Sequence, residues 1–390
     1  MTQTSVDVEL EPMDTTDVEQ WLGRPIAGEQ LKEPVAVNDI RRWVQGMNYP
    51  NRLHYDEDFA AESEFGRIVG PQSFAVCCIY GHGALPAVQG RIPGCHMLFG
   101  GDEWWFFGPR IEPGDQIRAT RMTFDYKVAD TRFAGPTVFQ RGDTNYFNQR
   151  GEPVAIQRST AIRFLVENAR RLGFMDTQAE DYEWTDEELE SIERERLDYY
   201  RTFEDHVLKT GAEVGVGDLP RRPIGPHTVR TLATEWRSFI FTIWGASRPD
   251  DFGDKTLDAG WLPEMTPDFE KAKIDPALAD GLYAGQAKGH ANAALAKTIA
   301  MPKAYGYGAS MGAWVLDYVA AWAGEYGFIT HSNIQYRSPA FEGDVTFLDG
   351  RVLQTRPGPG GSTYADLEVT MTNQRGVVLA KGPVEVRFSR

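Results

Sequence analysis

Asn148-Gln149-Arg150-Gly151 recurs unchanged as Asn373-Gln374-Arg375-Gly376, and this pair of tetrapeptides decides how the chain is read. A little downstream, Arg163-Phe164 returns as Arg387-Phe388 at almost the same offset, inside the alternating segments Ala161 to Leu165 and Val384 to Phe388. Upstream, Gly114-Asp115-Gln116-Ile117 answers to Gly343-Asp344-Val345, each after an aromatic-containing stretch that ends in Pro109 or Pro339. Matches at a shared offset point to a duplicated unit. Each Gly-Asp reads as a turn entering a strand.

Working outward, His54-Tyr55-Asp56 with Ala60 matches His290-Ala291-Asn292 with Ala296, whereas Gly46 and Pro50 match Gly245 and Pro249 at a much shorter offset. The jump places an insertion in the second copy, about residues 251–289, rich in turn formers such as Gly253, Asp254, Pro263, Pro267 and Pro276. Each copy then reads as a helical lead-in, a loop bearing the histidine, an apolar helix and several alternating strands. Pro71 suits the start of a helix over Gln72 to Tyr80. Met311 to Ala323 is apolar nearly all round, as a helix buried on most sides must be. Gln116 to Val128 and Thr363 to Thr372 alternate as half-buried strands do. An α+β unit, with an antiparallel sheet wrapped round one central helix, satisfies both periods.

The resulting division is an N-terminal extension (1–33), a first unit (34–166), an acidic helical linker (167–225) and a second unit (226–390). In the linker, Thr185 and Glu188 have capping-box spacing, and Leu189, Ile192, Tyr199, Phe203 and Val207 form one apolar stripe. That stripe predicts a helix packed across the two units.

With 390 residues the chain has room for two domains. A formal charge of -16 excludes a general phosphate-backbone binder, whose affinity comes from Lys and Arg, so no nucleic-acid partner is expected. Cys77, Cys78 and Cys95 crowd into one region and imply core packing in a reducing compartment rather than a disulfide framework. Met1 to Glu19 is acidic, without the basic start and apolar run of a secretory signal, and no apolar stretch reaches the roughly 18 residues of a membrane span. A cytoplasmic location without membrane partners is the expectation. No His, Cys or carboxylate group has zinc-like spacing, so no metal is expected.

Phe65-Gly66, Gly70-Pro71, Trp105-Phe106-Phe107-Gly108-Pro109-Arg110 with Gly114-Asp115, and Tyr336-Arg337-Ser338-Pro339 with Gly343-Asp344 occur in an order that resembles the MaoC-like acyl dehydratases. The likeness is to the two-copy members whose first domain is FAS1-like. It implies a double hot-dog fold, in which two antiparallel sheets, each wrapped round a central helix, pack as a pseudo-dimer. It also implies reversible R-specific hydration of a trans-2-enoyl thioester on coenzyme A or an acyl-carrier protein. Coenzyme A enters only as part of the substrate; no separate cofactor is implied, and a homodimer is plausible.

That chemistry needs a neutral imidazole to take a proton from water, for which His54 and His290 are the candidates. It needs donors for charge on the thioester oxygen, which helix starts at Gly70, Gln72 and Ser73 or at Tyr307, Gly308 and Ser310 would supply. It needs basic residues for the carrier, with Arg41, Arg42, Arg52 and Arg67 near the first loop.

The family loop reads Gly-Asp-x-Asn-Pro-x-His, but here Met47 follows Gly46 and Ala246 follows Gly245. Asn48 or Asp56 is expected to replace the absent carboxylate in the first copy, which is expected to hold the reacting water, and Asp250 or Asp251 in the second. The plainer alternatives are that Asp56 is a helix cap and that His54 is satisfied by backbone. His82 and His96 are expected to line the core or tunnel, and His206, His227 and His331 to lie at the surface or in turns. Gly358 to Gly361 reads as a hairpin loop. Two other functions stay open: a thioesterase on the same fold, and a non-catalytic acyl-thioester binding or assembly subunit.

Overall fold

The computed structural model describes residues 9–31, 33–79, 83–237, 288–290 and 293–390. His82, Ala246, Asp250, Asp251 and nearly all of the expected insertion lie outside the described residues. The described helices include α1 (Thr16–Glu19), α2 (Val37–Gly46), α3 (Glu57–Glu62), α4 (Val166–Leu172), α5 (Asp186–Arg201), α6 (Val229–Arg237), α7 (Ala293–Thr298) and α8 (Gly308–Ala323). The strands of the first half are β1 (Pro25–Gln30), β2 (Cys95–Phe106), β3 (Arg118–Thr131), β4 (Gly135–Phe147) and β5 (Pro153–Leu165). Those of the second are β6 (Gly217–Asp218), β7 (Arg222–Ile224), β8 (Gly327–Tyr336), β9 (Thr346–Pro357), β10 (Thr363–Asn373) and β11 (Val378–Phe388).

The duplication seen in the sequence is a duplication of topology. Spatial order is β1-β3-β4-β5-β2-β8-β11-β10-β9-β6, with β7 also on β9. From the centre outward, one half runs β2, β5, β4, β3 and the other β8, β11, β10, β9, so the same winding occurs twice about a pseudo-two-fold axis. At that axis β2 and β8 pair antiparallel, Gly101 to Trp105 opposite Gln335 to His331. The chain is therefore the expected α+β double hot-dog, with the two half-sheets hydrogen-bonded into one continuous sheet. Alternation buries one face: Ala365, Leu367, Val369 and Met371 of β10 are enclosed while Glu368 is exposed.

The repeated tetrapeptides hold equivalent corners. Asn148 Oδ1 accepts from the Arg150 and Glu152 amides, each at 3.0 Å, and Asn373 Oδ1 accepts from the Arg375 and Val377 amides at the same distance. Gln149 donates to Asp115 at 2.9 Å, and Gln374 donates to Asp344 at 2.6 Å. The two conspicuous sequence repeats thus meet in space, the hairpin clamped onto the Gly-Asp turn. Gly151 and Gly376 take φ of 81° and 72°, a region that favours glycine.

The halves differ at their centres. In the second, α8 runs sixteen residues, with Ala309 to Val319 and Ala323 buried in the core. In the first, the helix expected over Gln72 to Tyr80 is a short 3-10 turn over Gln72–Cys77. Val76, Cys77, Cys78 and Ile79 are weaker helix formers, and Gly81, Gly83 and Pro86 follow, so nothing in this run favours propagation. The space is filled instead by packing: Cys77, Cys78 and Ile79 are fully buried, as expected for inert core thiols.

The linker helix α5 opens with the expected capping box, Glu188 N donating to Thr185 Oγ1 at 3.2 Å and Thr185 N to Glu188 Oε2 at 2.9 Å. Ile192 packs with Val345 and Phe347 of the second half, while Phe203 meets Tyr49 of the first edge to face at 5.3 Å. Leu189 departs from the stripe and stays exposed.

Candidate active site at the seam

Two histidines occupy matching positions. His54, in a 3-10 turn after α2, directs Nδ1 to the Val69 carbonyl at 2.6 Å; His290 directs Nδ1 to the Tyr305 carbonyl at 2.9 Å. A carbonyl only accepts, so each ring carries its proton on Nδ1 and leaves Nε2 as a lone pair. The next residues match too: Gly70 N donates to the Ile111 carbonyl at 2.7 Å, and Gly306 N to the Ala340 carbonyl at 2.6 Å. Burial lowers the His54 imidazole to about 3 and His290 to about 4, so both are neutral at physiological pH.

What surrounds them differs. Nε2 of His54 is enclosed and unpartnered, and the space beside it is only about 40 Å³. Phe203, Asp205 and Val207 of the linker line that space together with Arg110, Ala320 and Gly324. His290 instead lines a cavity of about 390 Å³ at the seam. Its walls are Met97, Leu98 and Phe99 of β2, Phe133 and Phe139, Ile162, Phe174 and Met175 from the first half and linker, and Tyr305, Tyr307, Gly308 and Met311 from the second. A mostly apolar cavity of this size with a few polar groups is the form of a small-molecule site.

The start of α8 sits on that cavity. Gly308 opens the helix, and the first intrahelical bond here is Met311 N to the Tyr307 carbonyl, so the preceding first-turn N–H groups have no partner within the helix. Gly308 is required by packing, because a Cβ there would lie 2.3 Å from Phe99 Cβ. Tyr305 and Tyr307 flank the His290 ring at centroid distances of 4.3 and 4.7 Å. Ser310 is fully buried, its hydroxyl unpartnered among the described residues.

The equivalent start in the first half is occupied by structural bonds. Gly70 has its N–H on Ile111. Gln72 donates to the Ile329 carbonyl at 2.7 Å and accepts from the Ile329 amide at 3.0 Å, acting as a strand partner for β8. Ser73 donates to Asp317 Oδ1 at 2.6 Å and accepts from Trp43 Nε1 at 3.0 Å. None of these three lines the seam cavity.

Asp56, Arg52, Arg42 and Arg67 near the first loop are likewise engaged elsewhere. Asp56 caps α3, accepting from the Phe59 amide at 3.1 Å, and accepts from Nε and Nη2 of Arg52 at 3.0 and 2.8 Å. Those bonds, with the Arg52 guanidinium 4.5 Å over the Phe59 ring, make the pair a corner brace and correct the idea that Asp56 turns to His54. Asn48 adopts a positive φ of 53°, and its carbonyl accepts from buried Arg222 at 2.7 Å. Arg41 is exposed on α2, and Arg42 pairs with Asp39. Arg67 pairs with Glu112.

Other histidines are also placed by packing. His227, expected at the surface, is buried with its ring stacked on Trp314 at 5.2 Å and Nε2 2.8 Å from Thr346 Oγ1. His331 is in β8 rather than a turn and bonds Glu103 at 3.0 Å. His206 is half-buried and stacked on Phe59. His96 lines the seam cavity. Arg132 and Arg337 were not among the candidate site residues, although Arg337 belongs to the Tyr336–Pro339 stretch that carried the resemblance; both line the same cavity, are exposed, and form no ion pair among the described residues. Arg132 had no motif to mark it, and the motif that holds Arg337 was read for its order in the chain rather than for its charge.

Residues 20–157 match the family model for the FAS1-like, dehydratase domain region. A probable enoyl-CoA hydratase alpha subunit of Thermomonospora curvata is 28% identical over 162 residues, covering 38% of this chain and 50% of that protein. The chain thus spans about half the length of that curated relative. A solved MaoC-like dehydratase superposes with a TM-score of 0.62 at 14% identity, covering 95% of this chain and all 100% of that one. A Mycobacterium tuberculosis protein described as having a double hotdog fold gives 0.50 at 11% identity, covering 94% and 95%. The structural likenesses establish the fold. No helix among the described residues is long and apolar enough to cross a membrane.

Proposed function

With residues 20–157 belonging to the FAS1-like dehydratase region and the whole chain built as a MaoC-like double hot-dog, we propose that this protein adds water to, or removes it from, an acyl thioester in the seam cavity. The substrate is an enoyl or 3-hydroxyacyl thioester. One observation carries the reading: the His290 ring, locked by the Tyr305 carbonyl with Nε2 as a lone pair, stands in the large cavity at the start of α8. Its counterpart His54 has room for little more than water. This reading moves the reacting water from the first half, where the sequence placed it, to the second.

In the hydration direction, Nε2 of His290 accepts a proton from water as the water oxygen bonds to the β-carbon. The double-bond electrons move toward the thioester oxygen, and the resulting imidazolium returns the proton to the α-carbon. The N–H groups at the start of α8 that have no partner within the helix favour the negative charge that develops on that oxygen. The aromatic and aliphatic walls take the acyl chain. Exposed Arg132 and Arg337 suit the phosphates of coenzyme A or of a carrier-borne pantetheine.

The test offers the purified protein crotonyl-CoA and larger enoyl-CoAs and follows loss of the conjugated absorbance. His290→Ala should lower turnover by about 10²- to 10⁴-fold, while His54→Ala keeps it within about tenfold. Unchanged turnover in His290→Ala refutes the assignment. Release of free thiol would instead identify a thioesterase, and tight acyl-CoA binding without product a binding or assembly subunit.

A further inference from the structure

We propose that His96, from the first half, is a second catalytic residue of the cavity built round His290, donating a hydrogen bond to the substrate's thioester oxygen. This deepens the hydratase reading above and rests on it. Met47 and Ala246 stand where the family resemblance leads one to expect the loop aspartate, so the polar partner of the base has to come from elsewhere. His96 is 5% exposed, at the start of β2, and lines the same cavity as His290, Gly308 and Met311. Pairing with Phe164 across β5 and an edge-on ring contact to Phe164 at 5.9 Å hold it in place.

The two rings present opposite faces of the same chemistry. Nδ1 of His96 is enclosed with no hydrogen-bond partner among the described residues, and the ring lines the cavity. An orphaned buried N–H is a rare and costly arrangement, so the single proton of the neutral ring belongs on Nε2. His290 carries its proton on Nδ1, bonded to Tyr305. The cavity therefore offers an acceptor from the second half and a donor from the first. Burial, together with the charge of nearby His290, lowers the His96 imidazole to about 3. It stays a neutral donor when His290 becomes an imidazolium.

The step balances without a proton change at His96. His290 Nε2 takes the proton from water, the carbon–oxygen bond forms at the β-carbon, and the π electrons pass to the thioester oxygen as an enolate. The Nε2–H of His96 stabilises that oxygen, and His290 delivers its proton to the α-carbon as the carbonyl re-forms. A neutral imidazole acting as electrophile with its pKa depressed is a known arrangement for enolate chemistry.

The experiment compares His96→Phe, which keeps a ring and removes the donor, with His96→Gln, which keeps a donor; thermal unfolding checks that each is folded. His96→Phe should lose about 10²- to 10³-fold in kcat with KM within about threefold, and His96→Gln should recover to within about tenfold of wild type. Should His96→Phe not fold, His96→Met serves as the donor-free variant. Independently of turnover, the infrared carbonyl stretch of crotonyl-CoA bound to His290→Ala should lie lower than in His290→Ala/His96→Phe. A donor-free variant with wild-type kcat, or an identical stretch in both proteins, overturns the role of His96 while leaving the hydratase reading intact. A wild-type protein that turns over no enoyl-CoA overturns both.

Discussion

Asp102→Asn should remove a pH-dependent loss of stability, so that the variant gains on the wild-type protein as pH rises. Asp102 lies on β2 at the seam, 4% exposed; Oδ1 accepts from Gln157 Nε2 at 2.7 Å and Oδ2 from the Tyr336 hydroxyl at 3.1 Å. Burial raises its carboxyl from the usual 3.8 to about 7. Between those values the unfolded chain has released the proton while the folded protein keeps it. The unfolded state then binds fewer protons, and stability falls as pH rises, by about 1.4 kcal/mol per unit. The contribution is fully present below about pH 4, declines through the window up to about 7 and is level above it, a total of roughly 4 kcal/mol. Asparagine does not titrate; its oxygen still accepts from Gln157, and its amide donates to the Tyr336 oxygen, reversing the direction of that bond. Buried Asp317, also raised to about 7, keeps its own slope in both proteins, so the difference between them is the quantity to measure. Urea unfolding of both proteins at several pH values from about 4 to 7.5, with equal m, should show the variant gaining on wild type by roughly 4 kcal/mol. A difference constant to about 0.5 kcal/mol would mean that Asp102 is already ionised in the folded protein, and the reasoning fails.

The acid limb of kcat/KM should also be displaced. Burial holds His290 at about 4, so the base stays neutral down to that pH and the rate should fall only as pH drops through it; a limb near 6.5 would contradict the enclosed ring. Asn148→Ala and Asn373→Ala should each cost about 1–3 kcal/mol in urea unfolding, since each removes the acceptor of two turn amides, and a neutral outcome at either would deny the equivalence of the two corners.

The internal repeat carried the duplicated topology because its residues bond to one another: the Asn-Gln-Arg-Gly corners and the Gly-Asp turns are local turn chemistry that any copy of the unit must repeat. Both histidines were legible for the same reason, each being fifteen residues ahead of the carbonyl that orients it. The capping box of α5 is likewise a property of a few neighbouring residues. The fate of the two loops was not legible. His54 and His290 look alike in sequence, and only the packing of distant segments separates the closed space beside one from the open cavity beside the other.

Asp56, Gln72 and Ser73 were plausible site residues by position, yet each is engaged by a partner elsewhere in the fold: Arg52, the backbone of β8, and Asp317 with Trp43. Such competition for a polar group is set by distances across the chain, which spacing along it does not contain. The sequence alone determined the duplicated α+β unit and its paired histidines, because turns, periodicity and caps are encoded within a few residues. The tertiary structure alone decided that one half is filled and the other open, and that His96 of one copy stands with His290 of the other. Cavities and facing side chains exist only once distant segments are packed against each other.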